Sequence, residues 1–159
     1  MILHEGLRLE PYICPAGYWT IGVGRNLESK GLTGAEQKFL FGRDDYSKQE
    51  VIELLKKRGI SKDEALFLLV NDISECIKDL KTFTWFDQLD DIRAKVVVDM
   101  RFNLGAAGFR KFRKMIAALE RDDYDTAADE MVDSAWYHQV GTRARRLVEM
   151  MRTGEDYTN

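Results

Sequence analysis

The stretch HEGLRLEPYICPAGYWTIGVGR, from His4 to Arg25, contains the strongest strand signal of the chain. Over residues 17–28 apolar residues alternate with small or polar ones, the period of a strand with one buried face. One face would carry Trp19, Ile21 and Val23, and the other Tyr18, Thr20, Gly22 and Gly24. The small residues would make the second face smooth enough for a ligand to lie against it. The alternative is a hairpin whose bends require the glycines.

Three side chains of this stretch can take part in catalysis. Eight residues separate Glu5 from Cys14, and five separate Cys14 from Thr20. A glutamate in a partly apolar site has a raised pKa and can donate a proton to a leaving oxygen. A threonine hydroxyl can hold a water molecule, and a thiolate can activate that water or attack carbon directly. The spacing alone leaves these alternatives open.

The rest of the chain is predicted to be helical. Capping boxes begin at Ser47 and Ser61, and a run of apolar residues at helical spacing follows the second one to Leu80. A run from residue 90 to 104 is apolar nearly all round, which indicates a buried helix. Further amphipathic helices are expected near 109–120, 125–133 and 142–152. The fold class is therefore α+β, mostly helical, with a small N-terminal β-ribbon.

Composition limits the classes of function. The net charge of −3 argues against a nucleic-acid partner, although residues 134–152 carry four arginines against one acid. Two cysteines are too few for a disulfide scaffold, and Cys76 lies in an apolar helical pattern that predicts a core position. The two histidines show no metal-binding spacing, so we expect no metal and no cofactor. We also expect no membrane-spanning segment, because no apolar run is long enough.

The segment EGLRLEPYICPAGYWTIGVGR, residues 5–25, resembles the active-site segment of the phage-type lysozymes, glycoside hydrolase family 24. In the family pattern, eight residues separate a glutamate from an aspartate, or sometimes a cysteine. Five further residues separate that position from a threonine. The resemblance extends along nearly the whole chain, through ISKDEALFLLVNDI at 60–73, FNLGAAGF at 102–109 and SAWYHQVGTRARRLVEMMRTG at 134–154.

This resemblance implies a two-lobed lysozyme-like fold within one domain spanning residues 1–159. Residues 12–60 would form the β-containing lobe, 61–80 a linking helix, and 82–159 a helical lobe on which residues 1–11 pack. An extended ligand would bind in a cleft between the lobes.

The resemblance also implies the reaction, hydrolysis of the β-1,4 bond between N-acetylmuramic acid and N-acetylglucosamine in peptidoglycan. Glu5 would be the general acid, and Thr20 would place the attacking water. Arg143 would pair with the catalytic glutamate. Asn103 and Gly105 would lie near the sugar, as would Gly22 and Gly24 of the smooth ribbon face, whereas Trp136 and Tyr137 are expected in the core.

Cys14 stands where most family members carry aspartate. An ordinary thiol, with a pKa of roughly 8.5, is mostly protonated at neutral pH. If Cys14 guides or deprotonates water, the anomeric configuration inverts, and if its thiolate attacks the sugar, configuration is retained. We favour water activation, because the resemblance implies a single displacement.

Arg25 is a second departure, since many members have histidine there. Asp72 matches the partner of that histidine, which predicts an Arg25–Asp72 ion pair. If exposed, such a pair would contribute at most about 1 kcal/mol.

Two other functions compete with an active muramidase. The chain could be a peptidoglycan-binding module of the same fold with reduced or lost hydrolysis. It could also be an amidase or peptidase that uses Cys14 with His138 or His4. For the muramidase we expect peptidoglycan as the partner, a monomer, and an endolysin route from the host cytoplasm to the periplasm and cell wall. An upstream export or signal-anchor segment could have been trimmed from the sequence.

Overall fold

The structure is a computed structural model that describes residues 6–156. Strands β1 (Arg8–Ile13), β2 (Trp19–Gly22) and β3 (Arg25–Asn26) form an antiparallel sheet in the order β1-β2-β3. The helices that follow are α1 (Gly34–Phe41), α2 (Lys48–Arg58), α3 (Lys62–Leu80), α4 (Asp91–Arg110), α5 (Arg113–Glu120), α6 (Tyr124–Val132), α7 (Ala135–Val140) and α8 (Thr142–Thr153). The α+β class predicted from sequence, mostly helical with a small sheet, is confirmed.

The chain divides into two compact units, one ending at Asp72 and the other starting at Ile73. The boundary lies inside α3, the helix that the sequence predicts as the link between lobes. The assignment of residues 12–60 and 82–159 to two lobes, and the packing of residues 1–11 on the second, stay predictions.

The N-terminal unit has its own apolar core beneath the sheet. Leu7 and Leu9 pack against this core from the β1 side. Its buried members come from β2, from two loops and from helices α1 to α3: Ile21, Leu27, Leu32, Leu40, Val51, Ile52, Leu55, Ile60, Ala65 and Leu68. This packing holds the sheet in place, because a sheet of three short strands is only marginally stable alone.

In the second unit, α8 packs against α4, α6 and α7. Trp136 of α7 is buried, as predicted for a core aromatic. Cys76 of α3 is also buried, which confirms its core position. The methionines and leucines of α5, α6 and α8 complete the buried set, with Met115, Leu119, Met131, Leu147 and Met150 almost inaccessible.

Two elements were missing from the sequence prediction. Strand β1 pairs Arg8 with Gly22 and Tyr12 with Thr20, so β1 has two extra residues between these pairs. Its alternation of exposed and half-buried residues breaks at Tyr12. Helix α1 is short, but its capping box between Thr33 and Glu36 is complete. No helix in residues 6–156 is both long and apolar enough to cross a membrane.

Candidate active site

A tight hairpin turn brings Cys14 to the tip of the sheet. The Gly17 amide donates to the Cys14 carbonyl at 2.8 Å, and the Cys14 amide donates to the Tyr18 carbonyl at 2.9 Å. Pro15 suits the position after Cys14 because its ring presets the φ angle of the first turn residue. Gly17 has φ +92°, which lets β1 return directly into β2.

Cys14 and Thr20 lie on the same face of this hairpin. Tyr12 opposes Thr20 in the register, and Cys14 opposes Tyr18 through its backbone hydrogen bond. Opposed residues share a face, and so do residues two apart in a strand. The Thr20 side chain is only 3% exposed, and its Oγ1 donates to the Tyr18 carbonyl at 2.9 Å. The sequence prediction that these two groups act together is thus compatible with their positions.

The contacts around Cys14 lower the pKa of its thiol. A hydrogen bond from the Tyr18 backbone is the main cause that lowers the pKa of the Cys14 thiol, and a hydrogen bond with the Thr20 side chain adds to it. A hydrogen bond donated to the sulfur stabilises its negatively charged form more than the neutral thiol. A lowered pKa increases the fraction of Cys14 that can act as a base or nucleophile near neutral pH.

Gly22 is the last residue of β2, and Gly24 lies in the connection from β2 to β3. Their φ angles are +66° and +82°, in the left-handed region that favours glycine. Gly22 is buried, and a Cβ added there would lie 3.8 Å from Ile60 Cδ1. The tight connection therefore accounts for both glycines, which is the alternative that the sequence left open. Their predicted contact with a ligand stays a prediction.

Glu5, the predicted general acid, lies outside the described residues. Arg143 of α8, the residue predicted to pair with it, is placed by the structure 3.8 Å from Asp99, between Arg143 Nη2 and Asp99 Oδ1. Both side chains are largely buried, at 13% and 6% exposure. Sequence reasoning missed Asp99, although an acid inside a run of apolar residues in α4 signals a buried charged partner.

Asn103 and Gly105 lie in α4, where the helix is interrupted. Gly105 has φ +78° and ψ 171°, which breaks the helical path. Asn103 is exposed and lies two residues before the break. Gly105 therefore separates two helical segments, the first of which covers most of the helix predicted over residues 90–104.

Asp79 of α3 holds both sides of the break in α4. It accepts a hydrogen bond from Arg101 Nε at 2.7 Å and two from Arg110, at 2.9 Å from Nη1 and 2.8 Å from Nη2. Hydrogen bonds from Arg110 are the main cause that lowers the pKa of Asp79 to about 2. The hydrogen bond from Arg101 also lowers this pKa, whereas burial acts in the opposite direction. Asp79 therefore ties the segments before and after Gly105 to one carboxylate.

The predicted Arg25–Asp72 ion pair exists, with Nη2–Oδ1 at 3.0 Å and Nε–Oδ2 at 3.2 Å. The pair is not exposed, because the Arg25 side chain is only 2% accessible to solvent, so the limit of about 1 kcal/mol for an exposed pair does not apply. Its guanidinium also binds Glu36, at 2.7 and 2.8 Å, and the carbonyls of Gly31 and Leu68. A buried guanidinium needs this full set of acceptors, since each N–H left without one would be costly.

The helical unit contains a cleft of about 380 Å³. Three cations, Lys111, Arg113 and Lys114, line it together with two acids, Glu130 and Asp133, and the ring of Phe112. Arg113 begins α5, whose first turn has no side-chain cap. Uncapped amides and nearby cations favour an anionic ligand group. The basic residues that follow Phe109 in the sequence mark this cleft, which was not predicted.

Within the described part of the chain, no group of three histidine, cysteine, aspartate or glutamate side chains could hold a metal ion.

A mostly helical chain with a small three-stranded antiparallel sheet is the α+β architecture that the resemblance to the lysozymes implies. The sequence profile of the Phage lysozyme family matches residues 3–153. The chain belongs to the phage lysozyme family.

Individual relatives agree with this assignment. "Probable T4-type lysozyme 1" of Dictyostelium discoideum is 28% identical over 159 residues, covering 94% of this chain and 89% of that protein. "Probable T4-type lysozyme 2" of the same organism is 28% identical over 154 residues, with the same coverage. "Pre-baseplate central spike protein Gp5" of Enterobacteria phage T4 is 31% identical over 158 residues, covering 94% of this chain but 26% of that protein. The family is one of glycoside hydrolases that act on peptidoglycan, and this places the chain in the muramidase class.

Proposed function

We propose that this chain hydrolyses the β-1,4 bond between N-acetylmuramic acid and N-acetylglucosamine. Glu5 donates a proton to the bridging oxygen, while Cys14 and Thr20 position and activate the attacking water. The observation that carries this proposal is the placement of Cys14 and Thr20 on one hairpin face, with the Cys14 pKa lowered by its Tyr18 and Thr20 contacts.

The proposed reaction is a single displacement. The Cys14 thiolate takes a proton from water as the water oxygen attacks the anomeric carbon. The bond from that carbon to the bridging oxygen breaks, and this oxygen takes the Glu5 proton. Attack from the opposite face inverts the configuration at the anomeric carbon. Thr20, fixed by its bond to the Tyr18 carbonyl, holds a lone pair towards the water.

The remaining site residues have supporting roles in this proposal. Arg143, held beside Asp99, orients the Glu5 carboxyl. Asn103 and Gly105, at the break in α4, contact the sugar, as do Gly22 and Gly24 of the ribbon.

We propose a monomer that acts on peptidoglycan and binds no nucleic acid, since the net charge is −3. Its route would be that of an endolysin, from the host cytoplasm to the periplasm and cell wall.

The test compares wall hydrolysis by the unmodified protein, Glu5→Gln, Cys14→Asp and Cys14→Ser, with product anomers followed by NMR. We expect Glu5→Gln and Cys14→Ser to lose lysis while remaining folded, Cys14→Asp to retain it, and the first product to be the α-anomer. A retained β-anomer or a thioglycosyl adduct would contradict the single displacement.

A parallel assay separates the alternative functions. Reducing sugars released from sacculi indicate glycosidic cleavage, whereas new amino groups would indicate an amidase or peptidase. Binding to insoluble wall without either product would indicate a binding module that has lost hydrolysis.

A further inference from the structure

Three aromatic side chains lie near the tip of the sheet that carries Cys14, and a cation contacts the ring of two of them. The guanidinium of Arg8 lies 4.4 Å from the ring centroid of Tyr12. The ammonium group of Lys56 lies 4.1 Å from that of Trp19. Tyr18 differs, because its side chain is 46% exposed and its ring makes no aromatic or cation contact among the residues described. Tyr18 thus presents a free aromatic face.

The backbone of Tyr18 is held firmly although its ring is exposed. Its carbonyl accepts hydrogen bonds from the Cys14 amide and from Thr20 Oγ1, both at 2.9 Å. Cys14 directly opposes Tyr18 across the hairpin, so their side chains leave the same face. Because a fixed backbone limits the ring to its two side-chain torsions, little entropy is lost when the ring binds a ligand.

We propose that Tyr18 is a glycan-contacting residue whose ring stacks on the apolar C–H face of an N-acetylhexosamine next to the scissile bond. This rests on the proposed function. A pyranose ring presents C–H groups on one face, and these fit the negative face of an aromatic ring. The interaction needs the ring and not the phenolic hydroxyl, which distinguishes stacking from a hydrogen bond.

The experiment measures binding in the Glu5→Gln background, where hydrolysis does not consume the ligand. The probes are the N-acetylglucosamine hexamer, which carries no peptide, and purified sacculi. We expect Tyr18→Ala to weaken binding of both probes about tenfold, the size of one lost aromatic contact, and Tyr18→Phe to stay within about twofold. In the active protein, Tyr18→Ala should raise KM with a smaller change in kcat.

Phe39→Ala is the matched control, since Phe39 is 48% exposed but lies on α1 away from the hairpin in sequence. It should leave both affinities unchanged, and thermal unfolding should show that each variant is folded. Unchanged binding by Tyr18→Ala, an equal loss in Tyr18→Phe, or a loss confined to sacculi would overturn the stacking role. If the unmodified protein releases no reducing sugar while Tyr18-dependent binding persists, the proposed hydrolysis fails and the stacking role stands.

Discussion

Arg25 and Glu36 form a two-point ion pair inside the N-terminal unit, with Nη1–Oε1 at 2.7 Å and Nη2–Oε2 at 2.8 Å. Their side chains are 2% and 0% exposed. Asn71 donates to the same carboxylate at 2.9 Å, and Asp72 binds the same guanidinium. This pair joins β3, α1 and α3, three elements that surround the core of the unit.

Removing the charge of Glu36 should destabilise the protein strongly. Glu36→Gln leaves the buried Arg25 guanidinium with one carboxylate partner, and breaking a buried pair in this way costs about 3 kcal/mol. The measurement is the free energy of unfolding in urea at neutral pH. Asp45→Asn, which removes an exposed pair with Arg43, serves as the control and should leave that energy unchanged. Equal losses in the two variants would contradict the role of burial.

The same carboxylate predicts a loss of stability in acid. Burial alone would raise the pKa of Glu36, but hydrogen bonds from Arg25, Asn71 and the Thr33 amide lower it from 4.5 to about 2. A lowered folded-state pKa contributes stability that is present above the unfolded pKa and lost as pH falls towards the folded one. Unfolding energies should therefore fall between pH 4.5 and 2. In Glu36→Gln this fall should be shallower, and an identical slope would contradict the assignment.

The backbone at Gly105 should tolerate no side chain without strain. An added Cβ would meet nothing within 4 Å, so any cost of Gly105→Ala comes from its φ of +78°. We expect a loss of about 1–3 kcal/mol in unfolding energy. Gly34→Ala, at the start of α1 without a positive φ, should be neutral or slightly stabilising. If Gly105→Ala matched it, the break in α4 would not depend on glycine.

Asp99 should matter for catalysis through Arg143. Asp99→Asn keeps the shape of the side chain but removes the charge beside the guanidinium, which then loses its fixed position. We expect the lysis rate to fall about tenfold or more, because small displacements of positioning groups slow reactions strongly. The pH profile of lysis should shift as well, since Arg143 is proposed to act on the Glu5 carboxyl. A slower rate with an unshifted profile would indicate a purely structural role.

The acidic limb of the pH profile should report on Cys14. If the Cys14 thiolate activates water, lysis declines as pH falls through the lowered pKa of that thiol. Cys14→Asp should move this limb to lower pH, because a carboxylate stays ionised well below neutrality. The measurement is the initial rate of wall lysis against pH, with protein stability checked at each pH. An unmoved limb would show that another group controls it.

Local features of the chain could be predicted correctly. The capping boxes at Ser47 and Ser61 form as expected, with Glu50 and Glu64 completing them. These features depend on residues within about four positions of one another, so their spacing appears directly in the sequence. The box at Thr33 has the same spacing, but the helix that follows it is only eight residues long and was not predicted.

The family motif also placed Cys14 and Thr20 together, although their shared face depends on pairing between β1 and β2. Nothing local predicts β1, since its two extra residues interrupt the alternation. The partners of buried charges were equally hidden: Glu36 lies 11 residues from Arg25, and Asp99 lies 44 positions before Arg143. Burial makes such pairs necessary, because a charge removed from water is costly without a partner, and only the folded chain brings the two charges within reach.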